Sequence, residues 1–121
     1  MHMLASKNRL KSKADFARIE IDGKLFQFKN FGVGIYDRND DSPSRFGIVV
    51  STKISKKAVI RNQIKRIIAR VLRQKIGEIR NGLDLVFLIK PSILPIDRPK
   101  IEKEVYEVFL KNLQSNNLSK P

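Results

Sequence analysis

Apolar positions along the chain switch between helical and extended spacing. Residues 55–77 carry the clearest signal. Ile60, Ile64, Ile67, Ile68, Val71 and Leu72 recur at three- and four-residue intervals and line one face of a helix, with Gly77 as its stop. The opposite face reads Asn62, Arg66, Arg70 and Arg73, while Arg61 and Lys65 flank the apolar stripe. Residues 12–21 predict a shorter helix with Ser12 as N-cap and Gly23 beyond its end; Phe16 and Ile19, with Leu10 beside them, share one face. A closing helix is predicted over 97–113, capped by Asp97, with Pro99 in the first turn and a stripe of Ile101, Val105, Val108 and Phe109.

Extended segments lie between these helices. In residues 25–36, Phe26 and Phe28 alternate, then Phe31, Val33 and Ile35 alternate in the opposite phase. A period of two that slips by one implies a bulge or two strands. Residues 45–51 and 83–90 predict two more strands, and the continuous apolar run of the first suggests that both its faces are covered. Residues 85–89, bounded by Asp84 and Lys90, fall far short of the ~20 apolar residues that span a bilayer, so no membrane partner is expected. Residues 37–44 form a polar, acidic loop holding Pro43, and residues 91–99, with three prolines, read as a connector. The expected organisation is one domain over 9–113 between a flexible N-terminus (1–8) and a flexible tail (114–121).

Composition adds the partner. A chain of 121 residues, 41% hydrophobic and 31% charged, supports one core under a densely charged surface. Lys and Arg total 25 against 12 Asp and Glu, a formal charge of +13. Such a surplus opposes compaction through self-repulsion, and a compact protein carrying it usually meets a polyanion. The absence of Cys excludes a disulfide scaffold, thiolate metal sites and Cys nucleophiles. The one histidine, His2, stands at a terminus expected to fray, which removes a His-based metal site or catalytic triad from consideration. Lys7, Arg9, Lys11 and Lys13 are followed by no apolar stretch, so no secretory signal is read and the expected location is cytoplasmic.

The charge is also unevenly placed. Between Ser42 and Gly77 there is no Asp or Glu but there are ten Lys or Arg. A solvated helix face normally mixes signs, because Glu–Lys pairs four apart add ~0.2–0.5 kcal/mol each and like charges oppose. Stacked, unpaired cations point instead to phosphates, which Arg grips with a planar fork. Asn62 keeps two open roles: a local hydrogen bond near the first turn, or a contact to a base edge or sugar. Phe16, Phe26, Phe28, Phe31 and Tyr36 cluster in the first third. Core packing is the commoner role for each, although aromatic faces beside cations also bind single-stranded nucleic acid. Arg9, Lys11, Lys13 and Arg18 lie close enough in sequence to supply those cations. No convincing acid–base carboxylate pair, Gly-rich phosphate loop or metal-ligand spacing is present.

These residues resemble a known family. Arg45-Phe46-Gly47-Ile48-Val49-Val50-Ser51, then Lys53, then Ala58-Val59-Ile60-Arg61-Asn62-Gln63-Ile64-Lys65-Arg66 and Arg70, resemble the bacterial ribonuclease P protein, whose hallmark helix carries Arg-Asn, two residues, then Lys-Arg. Arg9-Leu10 to Asp15-Phe16 and Gly82-Leu83-Asp84-Leu85-Val86 resemble its flanking elements, so the likeness runs from about Arg9 to Leu113. It implies an α/β (α+β) two-layer sandwich: a mixed sheet of about four strands, the basic helix in a left-handed crossover that opposes the general rule, and flanking N- and C-terminal helices. It further implies a monomer in a one-RNA, one-protein complex. That subunit binds a catalytic RNA and the 5′ leader of precursor tRNA, and assists RNA-catalysed, magnesium-dependent removal of the leader. Magnesium is expected mainly on the RNA; no protein ligand for it and no catalytic side chain is assigned.

Carried over residue by residue, Lys53, Arg61, Asn62, Lys65, Arg66 and Arg70 fall on the RNA-facing motif, and Lys56, Lys57 and Arg73 extend that cationic face. Phe16 falls on the cleft aromatic of the opening helix, and Arg9, Lys13, Phe31 and Tyr36 complete the expected leader cleft. The chain departs from the family in carrying Lys56 where Gly is frequent and Gln63 where Arg is common, and in lacking aromatics near Glu20 and Gly34. A different reading is a basic structural ribosomal or other RNA-binding protein with no role in cleavage. A helix-reading DNA regulator ranks last, because a strand rather than a partner helix precedes the basic helix.

Overall fold

The computed structural model describes residues 4–114. Its elements run α1 (Lys13–Asp22), β1 (Lys24–Gln27), β2 (Phe31–Asp37), β3 (Arg45–Val49), α2 (Ala58–Gln74), β4 (Leu83–Ile89) and α3 (Arg98–Val108); a π-helical turn, Phe109–Leu113, prolongs α3. The four strands form one mixed sheet in the order β1-β2-β4-β3. β1 pairs antiparallel with β2 and β2 with β4, whereas β3 and β4 are parallel. Parallel neighbours need a long crossover, and α2 supplies it.

Local chemistry sets the element ends. Ser12 Oγ accepts from the Ala14 N–H at 3.1 Å and Asp97 Oδ1 from the Lys100 N–H at 3.3 Å, so both expected N-caps are made. The phase slip in residues 25–36 is a hairpin rather than a bulge, closed by the Phe28 N–H on the Phe31 carbonyl at 2.9 Å. The basic helix stops three residues before Gly77, because the Lys75 N–H bonds back to the Val71 and Leu72 carbonyls and the chain tightens into a 3₁₀ turn, Ile76–Glu78.

Strand alternation gives the sheet two unlike faces. Phe31, Val33, Phe46, Leu83, Leu85 and Phe87 enter the main core with the buried residues of α2 and α3. On the other face α1 lays Ile19 over Val86, with Leu10 buried and Phe16 and Tyr36 half-buried beside them. Gly34 admits this contact, since a Cβ there would stand 2.8 Å from Ile19 Cγ2. Both faces of β3 are covered at its centre, Phe46 and Ile48 by the main core and Gly47 by the Phe16 ring, while Val49 at its end is exposed, so the expected cover is only partial.

The expected flexible N-terminus needs correction over residues 4–8. Leu4 is buried in the main core, Ser6–Asn8 form a 3₁₀ turn, and buried Asn8 donates from Nδ2 to the Ser44 carbonyl at 2.9 Å. Arg9 then forms a bridge to Phe46 along the β3 edge. Apart from Gln114, which bridges to Ile79, the expected tail lies outside the described residues, as does His2.

Asp84, fully buried on β4, ties the α1 side together. Arg45 grips it through two hydrogen bonds of 2.8 and 2.7 Å and reaches Asp15 of α1 at 3.2 Å. Arg38 also donates to Asp84, and fans out to Asp40 and to the Ser42 and Pro43 carbonyls, organising the acidic loop. Burial alone would lower the pKa of Arg38; hydrogen bonds to Asp40 and Asp84 outweigh it and raise the guanidinium above its ordinary range. The Arg38 hydrogen bond in turn holds the exposed Asp40 carboxyl below the usual aspartate range. Removing one partner of a buried ion cluster strands the others without compensation. Asp84→Ala is therefore expected to cost about 3–5 kcal/mol, read as a lower urea midpoint, whereas Asp40→Ala, at the exposed end, shifts that midpoint far less.

Candidate nucleic-acid interface

Helix α2 presents its cations because its other side has nowhere else to go. Ile64, Ile67, Ile68, Ala69, Val71 and Leu72 are buried, which fixes the rotation of the helix. Asn62, Lys65, Arg66, Arg70 and Arg73 are thereby held outward, all exposed. Lys53, Lys56 and Lys57 are exposed on the preceding loop, where the Ser51 and Ser55 hydroxyls accept from the Lys53 and Lys57 N–H groups, each at 3.2 Å. Arg61 differs: it is half-buried and donates from Nη1 to the Ser55 carbonyl at 2.8 Å, bracing the loop against the helix.

Among the described residues none of these cations pairs with a carboxylate. The N-terminus of α2 has neither a side-chain cap nor an acid in its first turn. Its free N–H groups carry partial positive charge that the neighbouring lysines reinforce. A single α-helix face thus holds a field that only an external anion relieves.

The face continues into a groove of about 360 Å³ beside the β3 edge. One wall is α2, through Asn62, Lys65 and Arg66; the other is the N-terminal segment and α1, through Arg9, Leu10 and Phe16. Gly47 forms part of the floor, and a Cβ there would lie 2.8 Å from the Phe16 ring. Arg9 Nε is buried and has no hydrogen-bond partner. An unmet buried donor costs on the order of 1–3 kcal/mol.

Of the five residues expected in the leader cleft, Arg9 and Phe16 line this groove. Lys13 is exposed on the first turn of α1, and Tyr36 stands further along the same sheet face with the Arg18 guanidinium 5.6 Å from its ring; neither lines it. Phe31 requires correction. It has no exposed surface and packs edge-on to Phe87 at 5.4 Å, because odd positions of β2 point to the α2–α3 side, away from the groove. Sequence reasoning missed Gly47 as a floor residue, although a glycine inside an apolar strand is a signal of close approach.

Comparison with known proteins follows the same outline. A family model described as Ribonuclease P matches residues 4–113. The ribonuclease P protein component of Cyanothece sp. is 31% identical over 127 residues, covering 93% of this chain and 91% of its own. The RNase P protein from Thermotoga maritima superposes with a TM-score of 0.76 at 29% identity, covering 85% of this chain and 98% of its own. That from Staphylococcus aureus gives 0.77 at 27%, covering 84% and 92%.

Gly47→Ala is expected to displace the Phe16 ring and cost about 1–3 kcal/mol through overpacking. Shifted Phe16 ring resonances in a folded variant, with a lowered denaturation midpoint, would show it.

Proposed function

The chain belongs to the ribonuclease P protein family, and on that premise we propose that one continuous surface grips both the catalytic RNA and the 5′ leader of precursor tRNA. It is the protein subunit of ribonuclease P, an RNA-binding component of tRNA processing; the family match leaves the ribosomal-protein alternative without support. In the proposal, Lys53, Lys56, Lys57 and the outward residues of α2 face the catalytic RNA, with Arg61 bracing the loop. The leader lies in the groove, its phosphates against Arg9, Lys65 and Arg66 and a base against Phe16. Lys13 and Tyr36 flank that path rather than line it.

The observation that carries this reading is the meeting of Arg9 and Phe16 with Asn62, Lys65 and Arg66 in one groove. Strand cleavage is assigned to the RNA and its magnesium. Among the described residues no group of three or more His, Cys, Asp or Glu that could hold a metal ion comes together. Its own work is to neutralise crowded phosphates and hold the leader, one protein to one RNA, in the cytoplasm. No helix among the described residues is long and apolar enough to cross a membrane.

Reconstitution with the cognate catalytic RNA tests the whole reading: the protein is expected to lower the magnesium needed for leader removal, and an unchanged requirement refutes it. Arg66→Ala and Arg70→Ala are each expected to weaken RNA binding and to flatten its salt dependence by about one unit of log–log slope. Phe16→Ala, if folded, is expected to narrow the preference for precursor over mature tRNA; an unaltered preference removes Phe16 from the leader site.

A further inference from the structure

A second cavity, of about 490 Å³, opens where the end of α2 meets the Ser6–Asn8 turn. That volume lies within the range of roughly 300–1,000 Å³ typical of small-ligand sites. Leu4 is the only residue shared with the groove. The walls are rigid for a polar reason. Asn8 and Ser44, 5% and 3% exposed, line the cavity and hydrogen bond to each other. Ser44 Oγ also donates to the Arg80 carbonyl at 2.7 Å and accepts from the Leu83 N–H at 2.9 Å. Leu4 and Ile79 make an apolar wall, while exposed Lys7 and Arg73 carry the only charges on the lining, which has no carboxylate. Asn81, exposed, also lines the cavity.

We propose that this cavity takes a single unstacked nucleotide of the catalytic RNA. Lys7 and Arg73 hold its phosphate, the apolar wall takes the base, and the Asn81 amide reads a base edge. Two cations beside an apolar wall and an amide match a nucleotide better than a bare anion, and RNA is read in sequence mostly at such splayed-out bases. The catalytic RNA is the occupant because Arg73 ends the same helix face that grips it, so the cavity continues that interface. The inference rests on the RNA-facing assignment of α2.

Gly77 provides the test. It lines the cavity, and a Cβ there meets nothing within 4 Å, so the backbone accepts a side chain and Gly77→Glu adds a negative charge to the lining. Binding of the full-length variant to the cognate catalytic RNA is expected to weaken on the order of tenfold, and the exposed double variant Lys7→Ala/Arg73→Ala, which carries the test should the glutamate disturb folding, is expected to weaken it similarly. Wild-type affinity in both, with Arg66→Ala still impaired, overturns the cavity while the helix face stands. Wild-type affinity in Arg66→Ala as well overturns both. Adenosine 5′-monophosphate is expected to shift the Asn81 side-chain amide and Ile79 methyl resonances of the wild-type protein. Identical shifts with inorganic phosphate would reduce the cavity to an anion site and overturn the nucleotide.

Discussion

Burial of the Ile64–Ile68–Leu72 stripe governs the molecule. Each such side chain withdrawn from water contributes about 1.5–3 kcal/mol, whereas each adverse pair of like charges on a helix surface costs only a few tenths. The helix therefore keeps its rotation despite an uncompensated cationic face, and that face stays aimed outward. A helix with weaker packing could relieve the repulsion by turning or fraying; this one cannot.

The buried Asp84 does for the opposite side of the sheet what the isoleucines do for α2. It fastens β3 and the acidic loop through Arg45 and Arg38, and Arg45 also reaches α1 through Asp15. Phe16 follows Asp15 in the same short helix, so the aromatic wall of the groove is tied to the ion cluster through its immediate neighbour. The cations on α2 and the arginines around Asp84 are alike in type but opposite in role: the latter are spent on internal carboxylates, and only the former remain for an external anion.

Much of this was legible in the chain. The helix stripes, both N-caps, the strand positions and the cationic face follow from spacing and charge. The phase slip in residues 25–36 announced two strands or a bulge, and only the hairpin bond between Phe28 and Phe31 decides between them. What was illegible depends on which way a strand faces. Phe31 was assigned to the leader cleft because its neighbours are aromatic and basic, but sheet pairing turns it into the core. Residues 4–8 looked terminal and polar, and their order depends on Ser44, thirty-six positions from Asn8. Asp84 read only as the boundary of the apolar run 85–89 within a predicted strand; an acid inside Leu83–Ile89 was in fact the trace of an ion cluster with Arg38 and Arg45 that spacing alone does not reveal.

The parallel pairing of β3 with β4 has a mechanical corollary. Because α2 lies in the chain between those neighbours, both of its ends lead into adjacent strands of one sheet. Whatever clasps the helix clasps the sheet, and the chain cannot surrender the one without loosening the other. Affinity for the nucleic acid and resistance to unfolding therefore draw on the same free energy, so a bound partner acts as a brace for the whole fold.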